Sequence, residues 1–377
     1  MANEFSEKTA ETNTVKCKDC GGNLKYLPGT PYLNCEYCGA KNEIAQSEIV
    51  EIIENDYESF LNEKAHAEDK QEISTVKCNN CGAATTLPAN VTGSSCPYCD
   101  TPLVIKNATT STIISPSYLL PFKIERKKAT LEFTKWADGL WFAPSKLKEY
   151  AEHSAEKLNG IYMPFWTYDA NTTSNYTGMQ GIYYYVTESY TDSEGRTQTR
   201  QVQRTRWFPA SGTVNNVFDD VLVVASGSLP EALANELEPW DIDALVPYND
   251  SYLSGFITES YKTDLKTGFE KAKMQMQNTI KTTVMHDIGG DVQQITSLDS
   301  AYNDIMFKHI LLPVWLSSYK YNDKVYRFLI NARTGEVQGE RPYSTMKIAL
   351  AVIAVLAVIG VIIYFASQNS QQSTHSF

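Results

Sequence analysis

Apolar residues recur at three- and four-residue steps in three stretches of the middle of the chain, 125–138, 144–158 and 263–286, a spacing that lines one face of an α-helix. Asn159-Gly160 closes the second helix and Gly289-Gly290 the third, since glycine readily takes the left-handed turn that ends helices. Strands are predicted over 181–190 and 197–208, paired across Asp192-Ser193-Glu194-Gly195, and over 213–225 with its apolar run 221–224. A second hairpin joins 310–321 to 324–331 across Asn322-Asp323. Helices and antiparallel strands mix without a strand-helix-strand rhythm, so residues 112–343 are expected to form an aromatic-rich α+β domain.

Within that stretch four segments share one pattern, two apolar residues, proline, then an apolar or aromatic residue: Leu119-Leu120-Pro121-Phe122, Tyr162-Met163-Pro164-Phe165, Leu245-Val246-Pro247-Tyr248 and Leu311-Leu312-Pro313-Val314. Proline donates no ladder hydrogen bond, which places these segments at strand starts or edges. The pattern fits two related half-domains, an aromatic ligand groove or core packing, and core packing is the expectation because aromatics fill cores before they line sites. The region holds all six tryptophans and seventeen of the twenty-three tyrosines.

Past the domain the periodicity vanishes. Residues 348–366 are an uncharged run rich in Ala, Val, Ile and Leu, long enough at ~1.5 Å per residue to cover most of a ~30 Å hydrocarbon layer. A single transmembrane helix is therefore expected over 346–366, followed by a short polar tail, 367–377. Arg341 and Lys347 precede the run and no Lys or Arg follows it, which places the N-terminal bulk in the cytoplasm of a single-pass cell-membrane protein.

All eight cysteines precede residue 100, as Cys17/Cys20, Cys35/Cys38, Cys78/Cys81 and Cys96/Cys99. The second set repeats the first with a constant offset, an internal duplication. Two residues between thiols let one tight turn aim both sulfurs at a single ion, and two such knuckles close a tetrahedral four-thiolate site. Gly21, Gly39 and Gly82 follow their knuckles where a left-handed residue is needed, and Asp100 takes that place in the fourth. Disulfides or a redox pair would use the same spacing, but residues 1–14 are polar and show no secretory segment, so two structural zinc ions are expected. The halves read as zinc ribbon 1 (14–45) and zinc ribbon 2 (75–107). Between them, 46–74 reads as an acidic amphipathic helical linker whose stripe, Ile49, Ile52, Ile53, Tyr57, Phe60 and Leu61, is expected to pack on the ribbons.

Charge narrows the function. The formal net charge is −11. Residues 1–115 carry nine Lys+Arg against sixteen Asp+Glu, so the deficit concentrates in the ribbon region, and neither ribbon shows a basic stripe or base-stacking aromatics. No phosphate loop, dinucleotide turn, zinc-protease helix or nucleophile elbow occurs, and no catalytic residue is assigned. The five histidines are scattered; His286 sits at a helix end, His153 on a charged helix, and His309 is expected to be structural.

The pieces CKDCGG, CEYCGA, CNNCGA, CPYCD, YMPFW, LLPVW and INARTGEVQGERPYS, in that order, resemble a family of bacterial single-pass membrane proteins with tandem four-cysteine ribbons of the transcription factor IIB type. Such proteins are found in phage-shock-type envelope-stress operons and are often labelled primosomal or replication-restart helicase-like because those helicases contain similar ribbons. The resemblance implies a membrane-tethered scaffold recruiting cytoplasmic or membrane protein partners. The alternative is a nucleic-acid-binding ribbon protein without helicase activity of its own. Partner identity and oligomeric state are not fixed by the sequence.

Overall fold

The computed structural model of the chain describes residues 15–45, 52–62, 70–78, 83–86, 93–99, 101–104, 109–147, 158–321 and 324–372. Its centre is a mixed sheet built on three very long antiparallel strands: β1 (Asn159–Thr191), β2 (Thr197–Val224) and β3 (Val292–Tyr321). β1 lies in the middle, pairing with β2 from Phe165↔Val224 to Thr191↔Thr197 and with β3 from Asn159↔Leu316 to Gly181↔Val292. The predicted hairpin turn is present, with Gly195 at φ 76°. Residues 213–225, expected as a separate strand, continue β2, and β3 begins well before the predicted 310.

The outer edge of β3 is capped in succession by pieces from distant parts of the chain. Asn55–Asp56 pairs with Met306 and Phe307, Tyr118–Leu119 runs parallel to Ile310 and Leu311, and β4 (Lys324–Asn331) pairs from Val314 to Tyr321. The four proline segments meet here. Tyr162↔Pro313, Met163↔Leu312 and Pro164↔Leu311 are direct partners, and Leu119 lies between Leu311 and Val246. Pro164 and Pro313 are interior to their strands, yet each precedes by one residue the point where pairing with β2 or β4 starts. The missing N–H therefore costs no ladder bond, and the segments form core, as expected.

Side chains alternate across a strand, so each long strand serves two faces. On one face Tyr162, Leu311 and Trp315 join Leu119, Phe122 and the helix α1 (Arg126–Gly139), whose Phe133 ring stacks on Phe328 with centroids 3.7 Å apart. On the other, Ile161, Met163, Phe165, Ile310, Leu312, Val314 and Leu316 pack with Leu237 and Trp240. Farther along the first face, α2 (Leu265–Ile288) lies on the ribbon, burying Leu265, Phe269, Ala272, Met276, Ile280, Val284 and Ile288 at helical spacing. Asp264 caps it by accepting from the Thr267 N–H at 2.8 Å, and Gly289 at φ 66° ends it. Beyond Gly181, residues 182–206 of the β1–β2 hairpin run on past the end of the β3 pairing.

The linker departs from expectation. Only Tyr57–Asn62 is helical; residues 52–54 are irregular and 55–56 form a strand, while 46–51 and 63–69 lie outside the described residues. Of its stripe, Tyr57 and Phe60 pack against rings of the central domain instead of a cysteine module, the Tyr57 ring 4.9 Å from Phe269 and Phe60 5.1 Å from Phe307, whereas Ile52, Ile53 and Leu61 are exposed and Ile49 lies outside the described residues. Of the predicted helix 144–158, residues 145–147 are helical, and 148–157, including His153, lie outside the described residues. The second cysteine module's sheet is also wider than 75–107, because Lys70–Lys77 pairs with Thr109–Ile114. At the C-terminus α3 (Thr345–Gln372) contains a 21-residue apolar stretch, Thr345–Phe365, none of it buried and long enough to cross a membrane.

Candidate metal centres

The first module is a three-stranded sheet, Leu24–Tyr26, Tyr32–Cys35 and Lys41–Glu43, with a knuckle at each end of its cysteine pairs. The N–H of Cys17 donates to Gly22 O at 2.8 Å and that of Cys35 to Ala40 O at 2.9 Å, which curls each Cys-x-x-Cys turn; Gly21 and Gly39 take φ 73° and 76°. A Cβ on Gly22 would stand 3.3 Å from the sulfurs of Cys20 and Cys35. Glycine there lets the turn close over the site.

The four sulfurs lie within 4.8 Å of one another, with Cys17–Cys38 at 3.7 Å and Cys20–Cys35 at 3.5 Å. A tetrahedral ion at the usual Zn–S distance of about 2.3 Å separates its thiolates by about 3.8 Å, close to these two separations, so the set could hold such an ion. The backbone N–H groups of Asp19 and Cys20 bring the Cys17 thiol down to about 7, and that of Cys38 lowers Cys35. At Cys38 the Ala40 N–H pulls down, but the sulfurs of Cys20, Cys35 and Cys17, together with burial, push it up to about 12. Crowded thiolates resist further ionisation until a cation neutralises them.

The second module repeats the design. Cys78 N–H donates to Ala83 O and Cys96 N–H to Thr101 O, both at 2.8 Å, the same five-residue step as in the first. Cys78, Cys96 and Cys99 are buried and mutually within 4.8 Å, with Cys78–Cys99 at 3.7 Å; Cys81, expected as the fourth ligand, lies outside the described residues with Gly82 and Asp100. Seven of the eight predicted cysteines are thus brought into two clusters able to hold a metal ion. A site closed by four thiolates leaves no position for substrate, so its chemistry is structural.

Sequence reasoning did not foresee how the clusters are seated. The first module joins the face of the sheet that carries Phe122 and Trp315: Cys17, Leu24, Tyr26, Leu33 and Cys35 are part of that core, and the Tyr26 N–H donates to Ser254 O at 2.9 Å. The second joins the opposite face. Tyr98 is fully buried there, its hydroxyl donating to Glu259 at 2.7 Å while Arg327 Nε donates to its carbonyl at 3.3 Å. Its counterpart in the duplicated knuckle, Tyr37, is 89% exposed. The two knuckles are alike in sequence and opposite in environment.

A further acidic group, Glu54, Asp169 and Asp219, also comes within 4.8 Å. Here the buried ammonium of Lys308 already supplies the cation, bonded to Glu54 and lying 2.7 Å from Asp220. Burial, with Glu54 adding to it, raises Asp169 to about 7. These residues are scattered over the sequence, and no local signal links them. His309 is structural: it packs on Trp166 at 4.7 Å, bonds Ile114 O at 2.9 Å, and burial lowers it to about 4.

No protein-family profile matches the chain, and no solved structure matches it. The uncharacterized protein YdjG of Bacillus subtilis (strain 168) is 26% identical over 242 residues, which are 63% of this chain and 66%, just under two thirds, of that protein's length.

Proposed function

We propose that the chain is a membrane-tethered zinc-ribbon scaffold. Each cysteine cluster holds one zinc ion, α3 crosses the cell membrane once, and the body stands on the cytoplasmic side, presenting its surface to protein partners. The observation that carries this reading is the joining of parts. Both metal-competent modules are docked on one sheet, and the chain leaves that sheet at Gly339 and enters at Thr345 an apolar helix none of which is buried. A rigid body fixed so close to a bilayer raises the effective concentration of any partner that also reaches the surface. Arg341 ahead of α3 and Lys347 in its first turn, with no Lys or Arg in residues 348–377, support the orientation. The acidic balance of the module region and the closed thiolate sites favour protein partners over nucleic acid.

The test is purification of the full chain from detergent-solubilised membranes with mass-spectrometric identification of what co-purifies, beside a chain truncated before Met346. The expected result is a partner set that sediments with membranes only when α3 is present. Partners that remain membrane-bound with the truncated chain would overturn the tethering role.

A further inference from the structure

Residues 140–143, which follow α1, form a short loop. Trp141 is 81% exposed and Phe142 is 41% exposed, an unusual cost for a loop facing only water. The loop is fastened to the first turn of α3. The Ser344 N–H donates to Phe142 O at 2.8 Å, and Lys347 Nζ donates to Ala143 O at 2.7 Å and to Trp141 O at 3.4 Å. Its own turn is closed by the Ala143 N–H donating to Leu140 O at 3.1 Å, so the two aromatic rings are held at a fixed height beside the helix.

Beside them, Phe142 and Tyr343 face Ile348, Ala351, Val352, Val355 and Leu356 of α3 across an apolar cleft of about 430 Å³. The cleft runs along the helix from Ile348 to Leu356, about 12 Å at 1.5 Å per residue. At its mouth the Arg341 guanidinium lies 5.5 Å from the Tyr343 ring. Trp and Tyr at the start of an apolar helix, with Arg and Lys beside them, are the residues that settle at the boundary between headgroups and acyl chains.

We infer that the Trp141-Phe142 loop is a second membrane contact. The Trp141 indole lies at the headgroup level of the leaflet facing the body, and a phospholipid acyl chain fills the cleft between Phe142, Tyr343 and α3. The occupant follows from continuity: the cleft wall is the same uncharged helix face that runs on to Phe365, so whatever solvates that helix also enters the cleft. The inference rests on the reading of α3 as a membrane span. A body held at two points, helix and loop, is fixed in tilt as well as in place.

The test uses the full chain reconstituted into phospholipid vesicles, comparing wild type with Trp141→Phe so that the difference emission isolates one indole. Trp141 is mostly solvent-facing within the protein, and the substitution leaves the fold intact. Vesicles are made with lipids brominated near the headgroup end or near the methyl end of the acyl chains. The expected result is a blue-shifted difference emission, lost in the shallow-brominated vesicles and less affected by the deep-brominated ones. Flotation with vesicles and resistance to carbonate extraction report the span separately. A protein that floats and resists carbonate while its difference emission stays red and unquenched overturns the loop contact alone. Blue-shifted but unquenched emission places protein, such as the helix of a second copy, over the loop and also overturns it. Failure to float overturns both readings.

Discussion

Tyr98 offers a direct measurement of whether the second cysteine module is part of the central domain's core. All six tryptophans lie in 112–343 and none in either module, so tryptophan emission during denaturant unfolding reports the central domain alone. Tyr98→Phe removes the hydroxyl that donates to Glu259 at 2.7 Å, leaving the buried carboxyl with Ser226 at 2.8 Å. A buried group that loses a partner costs about 1–3 kcal/mol. Tyr98→Ala also empties the volume of a fully buried ring, which costs about 3–5 kcal/mol. Tyr37→Ala is the matched control, because the same residue in the duplicated knuckle is exposed and its loss costs about 0.5 kcal/mol or less. The assay is urea unfolding of the full chain in detergent micelles, followed by tryptophan emission. The expected order is a midpoint shift for Tyr98→Ala larger than for Tyr98→Phe, with Tyr37→Ala close to wild type. If Tyr98→Ala leaves the tryptophan-monitored midpoint unmoved while metal content is unchanged, the module is a loosely tethered bead and the docking argument fails.

Cys17→Ser is expected to lower zinc content from about two ions per chain to about one, measured by atomic emission on protein purified under reducing conditions. Gly178→Ala sets a Cβ 2.5 Å from the Gln294 carbonyl oxygen, within the β1–β3 pairing, and should destabilise by about 1–3 kcal/mol in the same urea assay. His309 titrates near 6.5 when unfolded and at about 4 when folded, because burial disfavours its charged form. Its contribution is therefore complete above pH 6.5 and lost as pH falls toward 4, a difference of about 3 kcal/mol that His309→Gln removes. Unfolding midpoints at pH 7 and pH 4.5 for both proteins read the effect; equal acid sensitivity would show that His309 is not the group responsible.

Much of this was legible wherever local chemistry dictates local shape. α1 and α2 lie within two residues of the predicted 125–138 and 263–286, because their apolar spacing and the closing Gly289-Gly290 act through neighbours in sequence. The cysteine knuckles are the same case. The first half of β1 past Tyr168 was not legible, since residues 171–177 are polar almost throughout and show no alternation of hydrophobicity. Alternation exists in burial instead: Thr172, Ser174 and Tyr176 point inward, and hydroxyls pair across strands, Ser174 with Ser300 at 2.7 Å and Thr177 with Ser297 at 2.6 Å. Close approach of α2 to the sheet explains the glycine at 268, where a Cβ would run into the Tyr168 hydroxyl. The linker misled for a related reason. Its stripe at 57–61 has helical spacing, but the partner that receives it, Phe269 and Phe307, lies more than two hundred residues away.

The placement of the two modules on opposite faces of one sheet also sets a schedule for synthesis. Both modules are complete by about residue 114, whereas the residues that meet them run from Phe122 through Ser254 and Glu259 to Arg327. At a ribosomal rate of about 5–20 residues per second, the modules wait roughly 10–40 s with Leu24, Tyr26 and Tyr98 uncovered. Each must hold its shape alone during that interval, and a fragment of three or five short strands has little core with which to do so. The cysteine clusters can close from residues already made. With a metal ion bound, each would be a cross-link of most value before the rest of the protein exists, keeping two unfinished surfaces ready for a sheet still to come.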